Sequence, residues 1–201
     1  ILNFNFLIPA WTTYPTGNTL SSTSSSDSTR STALNLQGFG LNHTRTLLNN
    51  FKDPAIARKC FKLSGSILSN NTITIPDPNS DIKSCNLTGK YIYVELFASP
   101  EKYFCIHFEI AIKDREPGVR LTLTNMEKEY TVAGGNTLKI PYAVEGRNLW
   151  SVVCIDIEHH LENFGLFSKG AIRNDTAVHT VKAIQVCSNC SVRGIYTSCN
   201  I

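Results

Sequence analysis

Tyr103-Phe104-Cys105-Ile106-His107-Phe108-Glu109-Ile110-Ala111-Ile112, running on through Lys113–Gly118 into Val119-Arg120-Leu121-Thr122-Leu123-Thr124-Asn125, decides the fold. Phe104, Ile106, Phe108, Ile110 and Ile112 alternate with Cys105, His107 and Glu109, a period of 2 that predicts a strand with one buried face. Lys113-Asp114-Arg115-Glu116-Pro117-Gly118 supplies turn residues, after which Arg120 to Thr124 alternates again, so the stretch reads as a β-hairpin. One hairpin cannot bury its own apolar face, and further strands must stack on it.

The rest of the chain provides them. Cys60–Leu63 is closed by Ser64-Gly65 and Thr72–Ile75 by Pro76-Asp77-Pro78. Lys90–Ala98 alternates Ile92, Val94 and Leu96 against Tyr91, Tyr93, Glu95 and Phe97, with bulky side chains on both faces, which predicts a central strand. Glu129–Val132 and Leu138–Ile140 read as strands around a Gly134-Gly135-Asn136 turn, and Trp150–Ile157 as a second central candidate. Val178–Cys187 and Val192–Thr197 close the chain around a turn at Ser188-Asn189. One short helix is expected, capped by Asp156, with Ile157, Leu161 and Phe164 on its apolar face and Gly165 ending it. About eight to ten short strands with one helix predict an all-β chain, an antiparallel β-sandwich or jelly roll.

The 201 residues, 42% apolar and 9% aromatic, suffice for one core. Two units are expected: an N-terminal arm over 1–58 and the sandwich over 59–201. The arm opens with the apolar Ile1–Trp11, read as an edge strand or a segment docked on a partner. In Thr19–Thr32, 11 of 14 residues are Ser or Thr, which predicts a flexible linker. Leu34–Asn50 has no clean period. The sequence starts at Ile1 and its one methionine is Met126, so a processed piece of a longer chain is expected.

The net charge of +3 resides in residues 1–59, where Arg30, Arg45, Lys52, Arg58 and Lys59 face Asp27 and Asp53. The remainder is balanced, without the dense basic stripe of a polyanion reader, so no nucleic-acid partner is expected. No run approaches the roughly 18 apolar residues that span a bilayer, and no membrane partner is expected. The seven cysteines are odd in number and lie mostly within strands, which favours a reducing compartment. Asn42, Asn70, Asn86, Asn174 and Asn189 head N-x-S/T triplets, which would be glycan acceptors in a secreted chain.

Motifs for chemistry are sparse. Cys187-Ser188-Asn189-Cys190 lacks a second ligand pair for structural zinc and reads as two cysteines at a hairpin turn. His159 and Glu162 lie one helical turn apart without the HExxH order, and a solvated helix face is the simpler reading. His107 reads as a cross-strand residue. Gly38-Phe39-Gly40 lacks the rest of a dinucleotide fingerprint, no GxSxG occurs, and no carboxylate pair stands out. No catalytic residue, metal or cofactor is therefore assigned, and an enzyme is disfavoured.

Leu87-Thr88-Gly89-Lys90-Tyr91-Ile92-Tyr93-Val94, Tyr103-Phe104 with Phe108-Glu109, Leu138 to Pro141, Trp150 and its strand, Phe164-Gly165, and Asn189-Cys190-Ser191-Val192-Arg193-Gly194-Ile195-Tyr196-Thr197-Ser198 resemble, in this order, the cilia- and flagella-associated protein 20 family. Cys60–Pro76 matches more loosely. The stretch from Leu87 to Phe104 is most similar to the version of the module that begins a WD-repeat protein of the centriole inner scaffold. The resemblance implies a β-sandwich without catalysis that binds α/β-tubulin and neighbouring junction or lumenal proteins at the inner junction of ciliary doublet microtubules. It implies a cytoskeletal location, in the axoneme or basal body, with a centriolar scaffold component as the alternative. The family's basic hairpin and helix are mixed here over Asp114–Arg120 and acidic at Glu158 and Glu162, so fold and partner class carry over but the contact face does not. Acidic tubulin surfaces favour cations, which selects Lys113, Arg120 and Arg193 as expected contacts. A competing reading is a secreted carbohydrate-binding module using Tyr91, Tyr93 and Tyr103 as sugar platforms.

Overall fold

The computed structural model describes residues 32–34, 49–54, 57–113, 115–144, 149–166 and 179–201. The apolar opening, the Ser/Thr-rich tract before Thr32, and Asn42 and Asn174 lie outside the described residues.

Twelve strands and one α-helix are described: β1 Thr32–Leu34, β2 Asn49–Asp53, β3 Arg58–Lys62, β4 Thr72–Ile75, β5 Tyr91–Ala98, β6 Cys105–Ile112, β7 Arg115–Thr124, β8 Thr131–Ala133, β9 Thr137–Pro141, β10 Ser151–Asp156, α1 Ile157–Asn163, β11 His179–Cys187 and β12 Cys190–Ser198. They form two sheets. The first runs β10-β5-β12-β3-β2, with β1 also paired to β12, and the second β4-β11-β6-β7-β9-β8. The chain is an all-β sandwich. All pairs are antiparallel except β7 with β9, which run parallel because β8 and its connection carry the chain back before β9 begins.

The period-2 pattern places the core. Ile92, Val94, Leu96 and Ala98 of β5 and Ile106, Phe108, Ile110 and Ile112 of β6 are buried in one cluster, joined by Leu121, Leu123, Leu138, Ile184, Val186, Val192 and Ile195. Apolar burial at about 25 cal/mol per Å² makes this cluster the main stabilising term. α1 caps the end of β10 as its sequence predicts: the Asp156 carboxylate accepts from the His159 N–H at 3.0 Å, and Ile157 and Leu161 are buried.

Four details differ from the sequence reading. The β6–β7 turn is shorter than Lys113–Gly118, because Arg115 already pairs with Ile112 and the next residues extend β7. Pro117 is tolerated there because β9 joins β7 only from Arg120 onward, and Gly118 is required because a Cβ would strike the Ile110 carbonyl oxygen. β10 is an edge strand rather than a central one, and its outward Val152 is 61% exposed. Ser188-Asn189 joins no hairpin: β11 and β12 belong to different sheets, and this corner carries the chain from one to the other. β1 and β2 lie N-terminal to residue 59, so the segment read as an arm contributes two strands to the first sheet.

Candidate functional site

The outward residues of the first sheet form an aromatic and charged face. On β5, Tyr91, Tyr93, Glu95 and Phe97 alternate with the core residues and are half-buried. Tyr196 lies opposite Tyr93 on β12, and the two rings stack at 5.1 Å with 9° between their planes. Trp150 packs on Phe97 at 5.9 Å, and the Lys90 ammonium lies 5.3 Å from the Tyr91 ring. Arg193, at the β12 bulge, pairs with Glu95 at 2.5 Å. Burial, followed by the nearby Cys154 thiol, pushes the Tyr93 phenol up to about 12.

The β2–β3 pair extends this sheet as a cationic margin. Lys52, Arg58, Lys59 and Lys62 are exposed, and Lys52 stands directly opposite Lys59 across the two strands. Directly opposed like charges destabilise a strand pair. Such an arrangement gains from an acidic surface placed against it.

On the outward face of the second sheet, Cys105, His107 and Cys187 come together, their ligand atoms all within 4.8 Å of one another. The cause is register: Cys105 and Cys187 are cross-strand partners on β6 and β11, and His107 follows Cys105 by two residues on the same face. His107 Nε2 lies 3.4 Å from Cys105 Sγ and Nδ1 lies 2.9 Å from Thr122 Oγ1. Both thiols are buried. The Cys187 thiol hydrogen-bonds Cys105 and lowers its pKa, with His107 adding to the effect against the burial that opposes it. That same bond, with burial, raises the pKa of Cys187. Among the described residues this is the one group of three or more His, Cys, Asp or Glu that could hold a metal ion.

The sequence-selected cations are dispersed. Lys113 is exposed at the tip of the β6–β7 hairpin. Arg120 pairs with Glu109 at 2.5 Å on the outward face of the second sheet, whereas Arg193 is on the first, so the two point to opposite sides of the sandwich. Arg193 is the one of the three on the sheet that carries the cationic margin. The other sequence candidates separate as well. Cys190 Sγ lies 3.8 Å from the Cys187 carbonyl oxygen while Cys187 turns to Cys105, and Cys199 is exposed at the far end of β12. His159 meets Asn163 Nδ2 at 2.8 Å. The alternation Cys105-x-His107 was visible as two ligand types on one strand face, but only the pairing with β11 brings the third. Among the described residues no helix is long and apolar enough to cross a membrane.

A family model described as the CFA20 domain matches residues 33–201, a span that takes in both sheets. The chain is 27% identical over 147 residues to Centriole proteome protein 16 of Chlamydomonas reinhardtii, covering 73% of this chain and 6% of that protein. It is 25% identical over 159 residues to WD repeat-containing protein 90 of Homo sapiens, covering 73% and 8%, and 24% over 165 residues to that of Xenopus tropicalis, covering 70% and 8%. The chain thus spans less than a tenth of the length of these relatives.

Proposed function

The chain belongs to the CFA20 domain family, and we propose that it is a non-enzymatic structural module of a centriolar or ciliary protein that docks a rigid sandwich on the microtubule wall. Its relatives include a protein named for the centriole proteome, which supports the location. The observation that carries the docking reading is the opposed Lys52 and Lys59 on an exposed sheet margin, a pairing that costs the fold stability and suits an acidic wall such as tubulin. Arg193 is on the same sheet but pairs with Glu95 on its outward face, whereas Lys52 and Lys59 share the strand face of the core residue Phe61, so it is not counted in that contact. Partners in the inner junction or lumen would be met by the other faces. The sugar-platform reading is less well supported. Tyr93 and Tyr196 are stacked on each other, and half-buried Tyr91 and exposed Tyr103 belong to different parts of the chain.

Co-sedimentation with stabilised microtubules across a salt series tests this. The chain should bind at low salt and release as salt rises. Lys52→Glu and Lys59→Glu should each weaken binding roughly three- to tenfold while stabilising the fold by ~0.2–1 kcal/mol, because each creates an opposite-charge cross-strand pair. Arg120→Glu, on the other sheet, should leave binding unchanged. Equal loss in all three variants, or none in the first two, would remove the margin from the contact.

A further inference from the structure

We propose that Cys105, His107 and Cys187 form a binding site for a zinc-like divalent transition-metal ion that ties β6 to β11. Two thiolates and an imidazole are the donor set that late first-row divalent ions select, and the ligand atoms already lie within 4.8 Å of one another. Metal–ligand bonds of the usual length around a tetrahedral ion hold sulfur and nitrogen donors roughly 3.5–3.8 Å apart. The 3.4 Å between Cys105 Sγ and His107 Nε2 is close to that spacing before any ion enters.

Independent support comes from the other imidazole nitrogen. His107 Nδ1 is 2.9 Å from Thr122 Oγ1, and Thr122 is only 4% exposed. A proton on Nδ1 donated to that hydroxyl leaves the Nε2 lone pair facing the two sulfurs, the orientation that metal-bound histidines take from their supporting hydrogen bonds. The three ligands come from adjacent positions on a paired, rigid sheet, Cys105 opposite Cys187 and His107 opposite Gln185. Little side-chain ordering is left to do on binding. Entry of M²⁺ displaces the protons the two thiols still hold, which leave to buffer, and no electron is transferred. Three protein ligands leave a fourth tetrahedral position for water or a donor from a partner.

Cobalt(II) is the probe, titrated into the reduced, metal-stripped full chain in which the exposed Cys154 and Cys199 are replaced by Ser. The expected result is one equivalent bound, a thiolate-to-cobalt charge-transfer band with the visible spectrum of a tetrahedral ion, release of protons to buffer, and a raised unfolding temperature. C105S and C187S should each lose about half of the charge-transfer intensity, two thiolates becoming one, and bind more weakly. Because those substitutions touch buried thiols, Thr122→Val serves as the second variant: it should keep the band and the circular dichroism of the fold while weakening cobalt about 10–100-fold. No charge-transfer band with cobalt in excess overturns the proposal, as does a band unchanged in C105S and C187S. A Cys105–Cys187 disulfide in the isolated chain, with no metal bound after reduction, overturns it equally.

Discussion

His160 shows how a single buried side chain makes this fold sensitive to acid. Its ring packs beside Tyr130 at 5.5 Å, and its Nδ1 is buried without a hydrogen-bond partner among the described residues. Burial first, and the neighbouring His159 second, push its pKa down to about 4, with Asp156 pulling weakly the other way. The ring is therefore neutral when folded, whereas the unfolded chain takes a proton near the ordinary histidine value of about 6.5. Below that value the unfolded state binds more protons than the folded one, so stability falls as pH drops from about 6.5 toward 4. A displacement of that size corresponds to about 3 kcal/mol, and urea unfolding across this range should show that loss in the natural chain and a flatter profile in His160→Phe. The sequence showed His160 only as part of an Asp-Ile-Glu-His-His run on a helix, because burial against Tyr130 depends on where β8 packs. Likewise Cys105 and His107 were legible as neighbours on one strand face, while Cys187 became their partner only through the β6–β11 register.

Elements with strong local signals matched their readings. β4 spans the same residues the turn signals delimited, β5 lies inside its sheet between β10 and β12, and α1 starts at its Asp156 cap. Elements whose existence depends on a distant partner did not announce themselves. β1 and β2 have no useful period of their own and are strands because β12 and β3 offer open edges: Thr32 pairs with Thr197 and Asn49 with Lys62. β12 illustrates the cost of removing them, since one side pairs with β5 throughout while the other is shared between β3 at Ser191-Val192 and β1 at Ile195 to Thr197. A fragment starting at Lys59 strips β1 and β2 and uncovers two backbone edges, which are templates for pairing between chains. That fragment should unfold at a lower temperature than one starting at Thr32 and form higher-order species on size-exclusion chromatography; equal stability and a monomeric profile would show that the two strands add nothing. β10 was misplaced for the opposite reason. Its run of Val152, Val153, Cys154 and Ile155 reads as buried on both faces, but only Ile155 is buried.

At the scale of the whole molecule, two sheets share one core and present two unlike outer faces. One bears stacked tyrosines and the Arg193–Glu95 pair, the other the thiol–imidazole cluster and the Arg120–Glu109 pair, while Lys52 and Lys59 stand at the margin of the first sheet on the strand face of Phe61. Alternation in β5 and β6 was enough to read the sandwich, since each strand states which of its residues face inward. It could not say which cations share a surface, because that follows from strand order rather than strand pattern, and Lys113, Arg120 and Arg193 accordingly fall on different parts of the molecule. Docking as proposed brings the margin of the first sheet against the microtubule wall. Zero-length amine-to-carboxylate crosslinking of the full chain bound to microtubules, read by mass spectrometry, tests this most directly. Links to tubulin from Lys52, Lys59 and Lys62 are the predicted result, and links confined to Lys113 and Lys139 of the second sheet would contradict it.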